Sequence, residues 1–474
     1  MAFDEWRDED GLTRAAYADV ARWIDEVGVD GLHHRREEAE AIFRRIGITF
    51  AVYGEGGDPE RLIPFDLIPR VFSAREWSRL DQGIRQRARA LNAFIHDIYH
   101  RGEIVRAGIV PGRLVYDNAA FVPQMLGFDP PGGVYSHVVG IDIVRTGAQD
   151  FAVLEDNCRT PSGVSYMLEN RAIMQRMFPT LFAGGQVRPV ENYPQLLFET
   201  LREMAPPASR GDPTAVVLTP GPLNSAYYEH SYLADLMGVE LVEPADLIVD
   251  DGGVKMKTIA GPRQVDVIYR RIDDAYLDPL AFRPDSLLGV PGLFHAYRRG
   301  QVTIVSAPGA GIADDKAIYT YVPEMIRFYL GQEALLPNVQ TWRCGEGGEL
   351  DYVLENLADL VVKEVHGSGG YGMLIGPKAT QAEIEAFAKR IRANPDNYIA
   401  QPTLDLSTAP TLAEGQGGAA EIVGRHVDFR PYCLVGKNIR LVPGGLTRVA
   451  LTPGSLVVNS SQGGGVKDSW VLEP

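Results

Sequence analysis

The apolar positions of this chain change period as the sequence advances. Across residues 74–100 they recur with helical spacing, and Gly102 stops the run, which predicts one long amphipathic helix. Residues up to about 47 read as shorter helices with Gly31 and Gly47 as stops. From Val134 the spacing drops to two. The segments SHVVGIDIVRTG and DFAVLEDN then predict two strands joined by a tight turn near Ala148 and Gln149. Helical spacing returns in SGVSYMLENRAIMQRMFP, which begins near Ser162 and is stopped by Pro179.

A Pro-rich linker over 204–213 separates this part from a β-α-β pattern. TAVVLTP is a strand, NSAYYEHSYLADLMG a helix with Asn224 as N-cap and Gly238 as stop, and VELVEP a second strand. VDVIYRRI and QVTIVSAPG add two apolar strands, so residues 214–310 read as a Rossmann-like α/β domain. After it, DDKAIYTYVPEMIRFYLG gives a helix broken at Gly331. The last third is mostly strands, with one good helix in QAEIEAFAKRIRAN and glycine flaps at HGSGGYG and SSQGGGV. The expected regions are therefore a mostly helical 1–132, a hairpin and helix over 133–203, the α/β domain over 214–310, and a strand-rich 311–474.

Composition narrows the class. With 474 residues, 45% hydrophobic and 23% charged, the chain is an ordinary globular one with room for two to four domains. Its 46 basic and 62 acidic residues leave −16 with no basic run, which argues against nucleic-acid binding. Cys158, Cys344 and Cys433 form no C-x-x-C pair, so neither a disulfide framework nor a zinc site is read from them. The start, MAFDEWRDEDG, lacks an apolar signal core, and no apolar run is long enough to span a bilayer. A soluble cytoplasmic protein with no membrane contact is expected.

The first candidate chemistry lies in the hairpin. A turn centred between Ala148 and Gln149 sets Asp142 opposite Glu155, and strand alternation puts Val153, Glu155, Asn157 and Arg159 on one face. Two opposed carboxylates repel, and only Arg159 nearby in sequence relieves them. A hard divalent cation would do so, with Asn157 adding a neutral oxygen and Arg159 gripping a phosphate. A solvated hairpin with its acids on surface arginines is the other open reading. Cys158 points away from Glu155 and Asn157, has no histidine near it in sequence, and reads as a small buried residue.

The second is LVVKEVHGSGGYGMLIG. Gly367, Gly369 and Gly372 match G-x-G-x-x-G, but a strand rather than a helix follows. That context fits a flap over phosphates, with Ser368 and Gly370 in the loop and Lys363 on the leading strand, or else a plain flexible turn. Gln401, ending the strand in YIAQPTLDL, can face an adenine edge or a domain connection. Arg430, Arg440 and Arg448 recur on VDFRPYCLVG and NIRLVPGGLTRVALT, where they can meet phosphates or water.

Together these pieces resemble the ATP-grasp ligases in circularly permuted form. The family's metal hairpin has an Asp on one strand and E-x-N, often E-x-N-x-R, on the next, similar to Asp142 and Glu155-Asp156-Asn157-Cys158-Arg159. Its two nucleotide lysines look like Lys316 and Lys363, its flap like Gly367–Gly372, its adenine hinge like YIAQPTL with Gln401, and its phosphate-side arginine like Arg430. Here the hairpin precedes the lysines, as in the glutathionylspermidine-synthetase type. The resemblance implies a multi-layer α/β (α+β) fold in which 133–203 and 311–474 form the ATP-grasp core and 214–310 a substrate domain. It also implies ATP and Mg²⁺, with Asp142, Glu155 and Asn157 as metal ligands and Arg159 and Arg430 as catalytic groups. The reaction implied joins a small-molecule or peptide carboxylate to an amine through an acyl-phosphate. Asn224 and Arg271 are weaker candidates for holding the substrate carboxylate. A nucleotide-binding scaffold without turnover and a phosphotransferase are the alternatives.

Overall fold

The computed structural model describes residues 2–46, 49–51, 60–367, 372–414, 419–456, 458 and 463–474. Its mixed α/β architecture is organised around a nine-stranded sheet. The strand order is Ile439–Leu441, Tyr432–Val435, Val138–Arg145, Ala420–Arg430, Leu446–Val449, Gly465–Val471 and Phe65–Phe72. Phe151–Asn157 pairs with Val138–Arg145, and Thr408–Glu414 with Ala420–Arg430. The hairpin foreseen at 134–157 is thus the heart of a sheet whose other strands come mostly from the C-terminal third.

A separate four-stranded sheet orders Trp342–Arg343, Tyr398–Pro402, Leu360–Glu364 and Leu374–Ile375. It has its own small core, in which Val362, Leu374 and Ala400 pack against Phe387 and Ile391 of the helix Gln381–Ala393. The glycine loop therefore connects two paired strands, Leu360–Glu364 and Leu374–Ile375, as a flap would.

The Rossmann-like region is also present. Thr303–Val305, Val267–Arg270, Ala215–Leu218 and Glu240–Val242 form a parallel sheet in that order. Gly238 closes the helix Tyr227–Met237 in the left-handed conformation, as expected. Asn224 does not cap that helix. Ala226 is the N-cap, and the Asn224 side chain instead accepts from the Ala226 N–H in a local turn.

Two further differences concern the N-terminal region. The first helices, Ala18–Val27 and Val29–Ile46, part at Gly28, whose φ of 73° suits glycine, and Gly31 lies inside the second helix. Gly47 falls outside the described residues. The region also contributes the strand Phe65–Phe72, parallel to Gly465–Val471. Its sequence, FDLIPRVF, hides the strand because Asp66 and Arg70 are buried. Asp66 pairs with Lys467 at 3.0 Å and Arg70 with Glu5 at 2.6 Å, partners that local reading does not supply.

The long helix is Ala74–Tyr99, started by a capping box between Ser73 and Glu76. Its apolar face, including Leu80, Ile84, Leu91 and Phe94, is fully buried. Arg87 on the same helix grips Asp156 through two bonds of 2.6 and 2.7 Å, and its third nitrogen donates to Asn338 at 2.8 Å. The pair is completely buried and fastens the hairpin to the helix. No helix among the described residues is long and apolar enough to cross a membrane. Arg87→Ala would strand the Asp156 charge, so chemical denaturation should show a loss of about 3–5 kcal/mol. An unchanged midpoint would show that the hairpin is held by something else.

Candidate active site

Asp142 and Glu155 are directly opposed across the hairpin. The turn itself is offset by one residue from the expected register, since Ile143 pairs with Val153 and Arg145 with Phe151. A bulge at Leu154 absorbs the offset and restores the pairing at Asp142, Ile141 and Gly140. The bulge also breaks the alternation, so Val153 lies on the opposite face from Glu155 and packs in the core.

The two acids meet different fates. Asp142 is buried, and both its oxygens accept from arginines: Arg430 Nε donates to one, while Arg430 and Arg448 donate to the other at 2.7 Å each. Burial alone would raise its carboxyl, but Arg430 and Arg448 overcome this and hold it well below the usual carboxylate range. The expectation that no cation but Arg159 relieves this pair is therefore corrected. The relief comes from strands nearly 300 residues away in sequence, while Asp142 Oδ1, which accepts only from Arg430 Nε, keeps a second lone pair.

Glu155 keeps 24% of its side-chain surface exposed. It lies 3.4 Å from the Lys316 ammonium and 3.6 Å from the Arg430 guanidinium. Asn157 stands opposite Gly140, with only a long 3.5 Å contact from its side-chain nitrogen to the Gly140 carbonyl. Glu155 and Asn157 are thus oxygen donors with coordination capacity to spare, and they fit a hard cation such as Mg²⁺.

Three consecutive residues, Asp314, Asp315 and Lys316, have three separate tasks. Asp314 accepts from the Cys158 backbone N–H and so ties down the end of the hairpin. Burial raises its carboxyl to about 7, against the pull of that N–H and of Arg159. Asp315 caps the short helix Lys316–Tyr319 by accepting from Ala317 and Ile318 at 2.7 and 3.1 Å. Lys316 then projects towards Glu155 and also donates to the Gly367 carbonyl at 2.6 Å, at the root of the glycine loop.

Lys363 reaches the same place from the four-stranded sheet. Its ammonium donates to Gln401 Oε1 at 2.9 Å, a neutral partner, and Gln401 in turn donates to Thr341 at 3.0 Å. Removal from water, reinforced by nearby Lys316 and opposed by Glu155, lowers Lys363 to about 8. Gly367 and Gly372 flank the flap. Ser368, Gly369 and Gly370 lie outside the described residues.

The structure thus gathers Asp142, Glu155, Lys316, Lys363, Gln401 and Arg430, and leaves other candidates apart. Arg159 lies 3.2 Å from Asp273 and 4.0 Å from Asp314, yet its Nε has no hydrogen-bond partner among the described residues, so it keeps a donor for a phosphate. Arg440 pairs with Glu203, donating to it at 3.0 Å. Arg448, read as facing phosphate or water, is buried between Asp142 and Asp428. Cys158 is fully buried, and burial together with Asp314 and Asp156 keeps its thiol protonated. His230 is satisfied by Thr219 at 2.9 Å.

Arg271 is buried and joins the Rossmann-like region to the hairpin. It donates to the Pro161 carbonyl at 3.1 Å, to Ser162 Oγ at 2.6 Å and to Glu229 at 3.1 Å. Glu229, which was not singled out from the sequence, accepts from the N–H groups of Gly163 and Ser165 at 2.7 and 3.1 Å. It thereby caps the helix Val164–Met177 from a different region of the chain. Gly163 is required there: its φ is 109°, and a Cβ would come within 2.7 Å of Tyr432 and Leu446. One acid at the start of an aromatic helix was the only available signal for Glu229.

Comparison with known proteins fits this geometry. The model of the circularly permuted ATP-grasp type 2 family matches residues 69–450, and the chain belongs to that family. It is 51% identical over 472 residues to an uncharacterised protein of Synechocystis sp., covering 99% of this chain and 97% of that one. It is 42% identical over 472 residues to a Frankia alni protein provisionally named glutamate–cysteine ligase 2-3, covering 99% of this chain but only 54% of the relative. Among solved structures, a glutathione synthetase-like effector from Globodera pallida shares the fold. The TM-score is 0.58 at 10% identity, over 92% of this chain and 96% of that one.

The contrast between the two acids is testable. Asp142→Asn leaves two buried guanidiniums short of an anion and should cost about 3 kcal/mol. Glu155→Gln, at a partly open position, should change stability by less than about 1 kcal/mol. Denaturant titration of both variants decides; equal losses would mean that Glu155 is structural too.

Proposed function

We propose that this chain is an ATP-dependent ligase that joins a carboxylate to an amine through an acyl-phosphate. The observation that carries the reading is the cluster around Glu155. An accessible carboxylate faces Lys316 and Arg430 at 3.4 and 3.6 Å, with Lys363 alongside on a second sheet. Such a set complements a polyphosphate with its cation: amines and guanidinium for the phosphates, acid and amide oxygens for the metal. Family membership supports the same reading. The Frankia alni name belongs to a protein of which this chain spans about half, so the ligase class is carried over and the acid and amine are not.

In this reading Glu155 and Asn157, with the remaining lone pair of Asp142, would hold Mg²⁺, which would neutralise charge on the phosphates. Lys316, which reaches the Gly367 carbonyl, and Lys363, on the strand Leu360–Glu364, bind phosphate oxygens. Gln401, held by Lys363 and Thr341, stands on the adenine side. Arg430 stabilises charge on the phosphoryl group as it passes to the carboxylate substrate. Asp142 also orients Arg430 by a two-point contact. The amine then attacks the activated carbonyl and releases phosphate. Arg271, engaged with Glu229 and Ser162, shapes the floor of the substrate side.

Two measurements test this. In calorimetry, wild type should bind ATP in a Mg²⁺-dependent manner, and Glu155→Ala should lose that dependence. Lys363→Ala should lower ADP formation by about 10²–10³-fold in an acid-and-amine screen. Folded wild type that binds no ATP, or variants that turn over normally, would end the proposal. ADP release that needs an acid but no amine would reassign the chain as a phosphotransferase.

A third measurement concerns pH. Phosphates favour charged Lys363, whereas the free site releases its proton near pH 8. ATP binding should therefore take up a proton, and affinity should fall as pH rises through that value, by up to about tenfold per unit beyond it. Lys363→Met should flatten this profile. A wild-type affinity that is constant from about pH 7 to about pH 9 would contradict the assignment.

A further inference from the structure

The far end of the long helix carries a cluster that the active site does not use. His96 lies in the last turn of the helix and His100 is its C-cap residue, four positions on. Their rings stack at 4.2 Å with only 11° between planes. Both Nε2 atoms approach one oxygen of Asp129, at 3.3 Å from His96 and 3.2 Å from His100. All three ligating atoms lie within 4.8 Å of one another.

The proton positions make this grouping informative. His100 Nδ1 is 2.9 Å from the His96 carbonyl oxygen, which can only accept, so Nδ1 carries the hydrogen. In the neutral ring, Nε2 then presents a lone pair. That atom is buried and has no hydrogen-bond partner, although the Asp129 carboxylate is within reach. A lone pair beside a carboxylate oxygen is unfavourable unless a cation lies between them.

A divalent metal would resolve the conflict once the half-exposed His96 ring turns out of the parallel stack, so that its Nε2 lone pair converges with that of His100. Zinc bonds of about 2.0–2.2 Å to nitrogen and oxygen, arranged tetrahedrally, separate neighbouring ligand atoms by about 3.3 Å. The two N···O distances are close to that edge, and the whole set of ligating atoms spans no more than 4.8 Å. The Nδ1–H to carbonyl bond of His100 is the outer contact that fixes the tautomer of a metal-binding imidazole. Two imidazoles and one carboxylate select zinc-class ions over Mg²⁺ or Ca²⁺. Asp129 is exposed, but its loop is fixed on the near side, where Gly127 donates to the Tyr99 carbonyl at 2.8 Å and Tyr135 to that of Phe128 at 2.9 Å.

We propose that His96, His100 and Asp129 form a binding site for one zinc-class divalent ion, with a fourth position left for water or an external ligand. The ion would clamp the 127–133 loop, which leads into the hairpin, onto the end of the long helix. This site is independent of the nucleotide chemistry and of the reading given for it.

The test uses the full chain with excess Mg²⁺ present to saturate hard-cation sites. Titration with Co²⁺, followed by its visible absorption, should show one tetrahedral, nitrogen-ligated ion per chain, displaced by Zn²⁺. Zn²⁺ should also raise the melting temperature. His96→Ala, at a half-exposed position, should fold normally and lose at least about tenfold in Co²⁺ affinity, as should Asp129→Asn. Wild type and both variants binding alike would show adventitious binding elsewhere, and no tetrahedral spectrum in wild type would show no site. Either result overturns the proposal.

Discussion

Two carboxylates held opposite each other on neighbouring strands repel, and much of this molecule is arranged to answer that repulsion. Asp142 is silenced by Arg430 and Arg448, which lie on strands packed beside the hairpin. Glu155 is left partly open, facing Lys316 from a different element. Burying an incompletely paired charge costs several kcal/mol, so these partners must arrive together with the sheet that carries them. The same hairpin is gripped from its other face by Arg87, which pairs with Asp156. A short strand with charges on both faces is thereby held from both sides.

The asymmetry between the two acids gives the site its electrostatic character. Both oxygens of Asp142 accept from guanidiniums, and Arg430 and Arg448 between them take most of its capacity. Glu155 retains capacity for a further partner, and Lys363 sits nearby with only a neutral amide. The region is thus supplied with cations beyond what its own acids consume. A ligand that brings both negative charge and a metal would complete it.

Docking between regions relies on the same device. Glu229 and Arg271, both buried, carry the Rossmann-like region onto the loop after the hairpin, and Glu229 satisfies N–H groups at the start of another region's helix. Asp314 does the reverse job from the segment that bears Lys316. Each contact satisfies a backbone donor that would otherwise be buried without a partner. The relative placement of hairpin, lysine and substrate-side loop therefore follows from a few hydrogen bonds between distant segments.

The sequence by itself determined the local elements and the chemical inventory. The long helix, the hairpin, the parallel strands of the α/β region and the strand-flanked glycine loop all follow from period, caps and turns. Residues Asp142, Glu155, Lys316, Lys363 and Arg430 were legible because their types and spacing carry a recognisable order. Only the tertiary structure decided which charges neutralise which. Arg448 looked like a surface or phosphate residue until the sheet placed Asp142 and Asp428 against it, and Arg159 turned out to face acids. The strand Phe65–Phe72 was hidden because its buried Asp66 and Arg70 are balanced by Lys467 and Glu5, far along the chain. The bulge at Leu154 is likewise a compromise between a turn and a sheet, and no local pattern encodes it. Periodicity reports the face a residue takes, whereas an ion pair is made by whatever the folded chain brings within a few ångströms.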